Sequence, residues 1–137
     1  MIVVDASVAV KWFFFETGSE EANALLRGSE KLAAPALIRI EVTAAMTRRA
    51  RVGEVSRQAA QAATFIWHRA LALGAITLSP DEHDLPGAVE LALGLRHPLQ
   101  DCLYLAAAQR TGGSLVTADP KFAERAARSY SNVSLLV

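Results

Sequence analysis

The chain has 137 residues, 52% of them hydrophobic, which suits a single domain over residues 1–137 that buries roughly two-thirds of its unfolded surface. Fourteen Lys and Arg balance fourteen Asp and Glu, which excludes a net field drawing the molecule to nucleic acid or an anionic membrane; such binding needs a local basic patch. The lone Cys102 excludes an internal disulfide and fits a reducing, cytoplasmic setting. The apolar N-terminal stretches are cut by Asp5 and Lys11 with no basic leader ahead of them, so they read as neither signal peptide nor membrane span.

In chain order, the β-branched run 2–4 reads as a buried strand ending at Asp5, and 6–15 continues without Gly or Pro as a helix. A second helix over 19–26 would be capped by Ser19, with Glu20 and Glu21 at its positive end. A short strand over 32–34 stops at Pro35. Apolar residues at three- and four-residue steps predict a helix over 36–51 ended by Gly53, and another over 55–73 ended by Gly74. A strand over 75–78, a helix over 81–95 and a helix over 99–110 follow, the last stopped by Gly112 and Gly113. Strands at 114–117 and 133–137 with a helix over 120–128 between them complete the chain. Short strands alternating with helices predict an α/β fold with a parallel sheet covered on both faces. In such sheets ligands bind beyond the carboxyl ends of the strands, which is where Asp5 and Asp119 fall.

Most of the acids stand in polar surroundings, but four adjoin apolar runs: Asp5 in MIVVDASV, Glu41 in ALIRIEVTAAM, Asp101 in HPLQDCLYLAAA and Asp119 in SLVTADPKF. Burying an unpaired carboxylate is costly enough that the group would protonate instead, so several near one crevice call for positive charge. A hard divalent cation is the natural compensation, since magnesium and manganese prefer oxygen ligands. Each acid also has a plainer reading. Asp5 and Asp119 could be helix N-caps, and Asp101 could complement a helix dipole three residues after Pro98. Glu41 falls inside a helix, where no capping role exists.

The segments VVDASVAVKWF, ALIRIEVTAAMTR, PLQDCLYLAAAQ and LVTADPKF closely resemble the PIN-domain family, particularly the VapC toxins of bacterial and archaeal toxin-antitoxin pairs. The resemblance runs from residue 2 to the C-terminus and takes in all four acids in order. It implies a metal-dependent ribonuclease whose acidic cluster is Asp5, Glu41, Asp101 and Asp119, with Ser7 and Thr117 as the small hydroxyl residues beside it. It also implies a sheet of about five strands in the order 3-2-1-4-5, toxin homodimers, and a VapB-type antitoxin that occludes the acidic site. On that reading Asp5 and Asp101 are the principal ligands to Mg2+ or Mn2+, with Glu41 and Asp119 completing the shell directly or through water.

RNA would be gripped by cations near the crevice, with Lys11, Arg39, Arg48, Arg49, Arg51 and Lys121 as candidates. Arg48, Arg49 and Arg51 form the only dense basic cluster. Trp12, Phe13, Phe14 and Phe15 are consecutive, and a helix cannot bury all of them on one side, so at least one faces outward; either neighbouring helices cover them or they form a groove that receives an antitoxin segment. His68, His83 and His97 read as structural or surface residues, and no paired His or Cys spacing suggests zinc. Two rivals differ in class. Phosphoryl transfer through an aspartyl phosphate would want a second Asp where Ser7 stands; an inert PIN-like module binding RNA or a partner would be suggested by loss of an acid, and all four are present.

Overall fold

In a computed structural model, which describes residues 1–136, five parallel strands form one sheet in the order β3-β2-β1-β4-β5. The strands are β1 (Ile2–Val4), β2 (Leu32–Pro35), β3 (Thr77–Ser79), β4 (Ser114–Thr117) and β5 (Val133–Leu135). Seven helices flank them: α1 (Ala6–Ala9), α2 (Ser19–Arg27), α3 (Ile38–Arg51), α4 (Arg57–Ala72), α5 (Leu85–Leu95), α6 (Leu99–Thr111) and α7 (Pro120–Ala126). Successive strand residues point to opposite faces, and Val3 and Val4, Ala33 and Ala34, and Leu115 and Val116 are all buried. Both faces of the sheet are therefore covered, as parallel sheets require. Among the described residues, no helix is long and apolar enough to cross a membrane.

β1 lies at the centre, pairing Ile2 with Leu32 on one side and with Ser114 on the other. The strand order reverses there, so the chain leaves β1 and β4 at adjacent points of the same sheet edge. α6 packs beneath this edge and is the most deeply buried helix: Cys102 through Ala108 are all buried, which explains why its apolar residues show no single-sided periodicity.

Several predicted elements differ in extent. The helix expected over 6–15 is only one turn, α1, followed by a 3-10 turn at Val10–Trp12. β-branched and aromatic residues lose side-chain freedom in a helix, and the chain instead turns so that Trp12 and Phe13 meet the buried Trp67, with ring centroids 6.5 and 5.8 Å away. Phe15 is left 93% exposed. Ser19 does not cap α2: that position is Gly18, at φ +89°, and the buried Ser19 hydroxyl donates to the Phe14 carbonyl and accepts from the Glu16 amide. β3 begins two residues later than expected because Gly74 (φ +79°) and Ala75 close the end of α4, donating to the carbonyls of Leu71 and Ala70.

The helix expected over 81–95 is divided. Asp81–His83 forms a 3-10 turn whose Asp81 accepts from the Leu37 amide, and α5 starts after the buried Asp84, which Arg110 grips with two hydrogen bonds. Pro35, expected to stop β2, is its last residue. α3 starts at Ile38, two residues later than expected, α4 and α7 are each shorter than expected, and β5 ends at Leu135, with Val137 outside the described residues.

Candidate active site

Asp5 leaves β1 as the N-cap of α1, its Oδ1 accepting from the Val8 amide at 3.3 Å. Capping alone would leave such a group at the surface, yet Asp5 is only 4% exposed. Two hydroxyls satisfy it: Ser7 Oγ donates to Oδ1 and Thr117 Oγ1 to Oδ2, both at 2.5 Å. Each hydroxyl also accepts a backbone amide of the turn after β4, Ser7 from Ala118 at 2.9 Å and Thr117 from Asp119 at 3.1 Å. Ser7 and Thr117 thus tie the ends of β1 and β4 together around one carboxylate. Burial pushes the Asp5 pKa up to about 6 against the pull of these hydrogen bonds, and the charge of Asp101 adds to the rise.

The other three acids reach the same region from separate elements. Glu41 stands in the first turn of α3, where the buried Tyr104 hydroxyl of α6 donates to its Oε1 at 2.6 Å. Desolvation raises its pKa despite that bond, and the charges of Asp101 and Asp81 contribute. Asp101, in the first turn of α6, holds His97 Nε2 at 2.7 Å through Oδ2; burial raises its pKa beyond what the hydrogen bond offsets, with Asp119 adding to the rise. Asp119 is the N-cap of α7 and accepts from the amides of Lys121 and Phe122 at 3.0 and 3.4 Å. The capping roles open for Asp5 and Asp119 are both real. They coexist with an electrostatic set in which Asp101 is felt by Asp5 and Glu41 and itself feels Asp119.

The donor chemistry suits a hard divalent cation: these are carboxylate oxygens, and the charge of Asp101 raises the pKa of Asp5 and Glu41 while that of Asp119 raises the pKa of Asp101. Among the described residues, however, no three His, Cys, Asp or Glu side chains already form a metal cage. Both oxygens of Asp5 face hydroxyls, and Asp101 Oδ2 faces His97.

The basic candidates separate. A cleft of about 430 Å³ is lined by Ser7, Asp119, Lys11, Glu16, Arg48 and Arg49, so three of the proposed RNA contacts share a cleft with Asp119. Two of them are already engaged: Arg49 pairs with Glu16 at 2.9 Å and lies over the Phe14 ring, and Lys11 Nζ donates to Glu16 and to the Thr17 carbonyl. Arg48 is exposed, with no side-chain hydrogen bond or ion pair among the described residues. Arg51 is exposed and lines a different groove with Arg57, on the side of α3 that faces α4. Arg39 is exposed, and its Nε is turned back to the Ala36 carbonyl. Lys121 is also exposed.

Three site residues escaped the sequence reading. His97 is buried, in line with a structural role, and it also touches Asp101, a contact that its i,i+4 spacing from Asp101 signals. Tyr104, one turn further along α6, was masked by its apolar run. Glu16 had none, since its pairing with Arg49 spans 33 positions.

Comparison with known proteins agrees with this architecture. PAE2754 from Pyrobaculum aerophilum is 23% identical, covering 90% of this chain and 78% of that one, with a TM-score of 0.68. A toxin-antitoxin complex from Klebsiella pneumoniae includes a chain 17% identical, covering 100% and 98%, with a TM-score of 0.69. VapC20 of Mycobacterium tuberculosis, a sarcin-ricin loop cleaving toxin, is 17% identical, covering 90% and 94%, with a TM-score of 0.65. No curated protein sequence matches. These likenesses establish the fold, and the family model of the PIN domain matches residues 2–128: the chain belongs to the PIN domain family.

Proposed function

We propose that this protein is the toxin of a toxin-antitoxin pair and a cytoplasmic, metal-dependent ribonuclease. One observation carries the reading: Asp5, buried where two parallel strands end, is pressed by the charge of a second acid, Asp101, which is coupled in turn to Glu41 and Asp119. A structural cap has no need of such an arrangement. The resemblance to toxins of toxin-antitoxin pairs agrees with it.

Asp5 and Asp101 would be the principal holders of Mg2+ or Mn2+, with Glu41 and Asp119 completing the shell. Bound there, the ion would acidify water and neutralise charge accumulating on the phosphodiester. Ser7 and Thr117 fix the rotamer of Asp5 through their hydrogen bonds. Tyr104 occupies Glu41 Oε1, leaving Oε2 to accept the proton of the attacking water, a role that the raised pKa of this carboxyl suits. Arg48 at the cleft would steady an RNA phosphate. In-line displacement of the 3′ oxygen leaves 5′-phosphate and 3′-hydroxyl ends and makes no use of the ribose 2′-hydroxyl.

The antitoxin would occlude the acidic site and lay an apolar segment along the aromatic turn. Trp12, Phe13, Leu26, Ala63, Ile66 and Trp67 line an apolar groove of about 440 Å³ between the start of the chain and α4, a shape that receives an amphipathic segment. A homodimer is expected from the same resemblance. The rival reading is an inert module binding RNA or a partner; among the described residues no three side chains already form a metal cage.

One experiment decides between them. Purified protein is incubated with total RNA in magnesium or in chelator, alongside Asp5→Asn, and the cut ends are mapped. Cleavage confined to the wild type with metal, giving 5′-phosphates, is the expected result. Cutting by the variant or in chelator, or 2′,3′-cyclic phosphate ends, would overturn the mechanism; no cutting under any condition would favour the inert module.

A further inference from the structure

The αL residue Arg96 (φ +53°) ends α5, and the chain turns through His97 and Pro98 into α6. The His97 imidazole is almost fully enclosed, with its side chain 4% exposed. Both ring nitrogens have partners: Nε2 lies 2.7 Å from Asp101 Oδ2, and Nδ1 lies 3.2 Å from Arg125 Nη1. Arg125 Nη1 also donates to the Arg96 carbonyl at 2.8 Å, which fixes the guanidinium in place. The ring is stacked on Phe122, with centroids 5.0 Å apart and planes 12° from parallel.

A guanidinium has N–H donors and no acceptor. Nδ1 must therefore accept from Arg125, the ring proton must sit on Nε2, and that N–H must donate to Asp101. We propose that His97 is a positioning residue for Asp101, with its tautomer set by Arg125 and its plane by Phe122. The proposal rests on the reading of Asp101 as a metal ligand. Arg125 and Phe122 both belong to α7, the helix that Asp119 caps, so the same helix that presents one acid orients another through His97. Partners of this kind behind metal-binding groups are worth on the order of 10- to 100-fold in metal affinity or activity.

The test joins a spectroscopic and a binding readout. Ring 15N NMR of the metal-free protein should place the His97 proton on Nε2, and Arg125→Leu should lose that single tautomer. Titration with Mn2+ should show His97→Leu weakened by about 10-fold or more, with kcat for RNA lowered more than KM changes. His97→Gln, whose amide nitrogen can stand where Nε2 does, should recover most of the affinity; thermal melts confirm that each variant is folded. A proton on Nδ1 in the wild type, or wild-type Mn2+ affinity in folded His97→Leu, would overturn the proposal while leaving the nuclease reading intact. A wild type that binds no Mn2+ would overturn both.

Discussion

Asp5 shows how a single residue carries opposing demands. It caps α1, which stabilises the fold, and it is buried, which penalises its charge. With a folded pKa near 6 against an ordinary 3.8, the folded chain keeps a proton that the unfolded chain has released. The stability from this group is full below about pH 4 and is lost as pH rises through 6, a loss of about 3 kcal/mol. Asp5→Asn removes the charge and keeps one oxygen for the Val8 amide and the Ser7 hydroxyl, while its NH2 can donate to Thr117 Oγ1 in place of the bond that Oδ2 accepted. In chelator at pH 7 the variant should melt higher than the wild type, with the gap closing by pH 4. A variant that melts lower at pH 7 would mean that the hydrogen bonds from Ser7 and Thr117 outweigh desolvation. The same substitution should abolish RNA cleavage, so stability and activity would move in opposite directions.

At the scale of an element, α3 presents two surfaces. Its first turn brings Glu41 to Tyr104, while its last turn sends Arg48 toward the cleft and Arg51 into the groove beside α4. Each phosphate contact contributes about one unit to the slope of log affinity against log salt. Arg48→Glu should therefore weaken binding of a labelled single-stranded RNA and flatten that slope by about one, whereas Arg51→Glu should change it little. Equal effects from the two substitutions would mean that RNA follows the outer face of α3 rather than the cleft. Arg49 is a poorer subject for this test, because losing it would also release Glu16 and uncover Phe14.

Across the whole molecule, balanced charge leaves site electrostatics to local arrangement. On the proposed function, the acids after β1, on α3 and α6 and after β4 would share a cation, so metal binding should be coupled to global stability. A ligand that binds only the folded state stabilises it by an amount that grows with its concentration over Kd. Magnesium should raise the melting temperature of the wild type progressively and that of Asp5→Asn much less. A uniform rise in both would point to nonspecific salt effects.

Much of this organisation was legible in the chain itself. Hydrophobic patterning and the Gly and Pro stops located every strand and nearly every helix, because those signals are local and set by backbone chemistry; apolar neighbours marked Asp5, Glu41, Asp101 and Asp119 because a carboxylate amid buried residues is costly wherever it folds. Family resemblance supplied the strand order, which the sheet bears out. The tertiary structure decided where the first helix stops, since packing of Trp12 and Phe13 on Trp67 adds to the weak helix preference of that stretch. It also decided the partners of each acid: Thr117 lies 112 positions from Asp5, and Tyr104 lies 63 from Glu41. Local sequence sets where a carboxylate leaves its strand or helix. What it meets there depends on which distant segments the sheet brings alongside, and that is fixed only when the whole core closes.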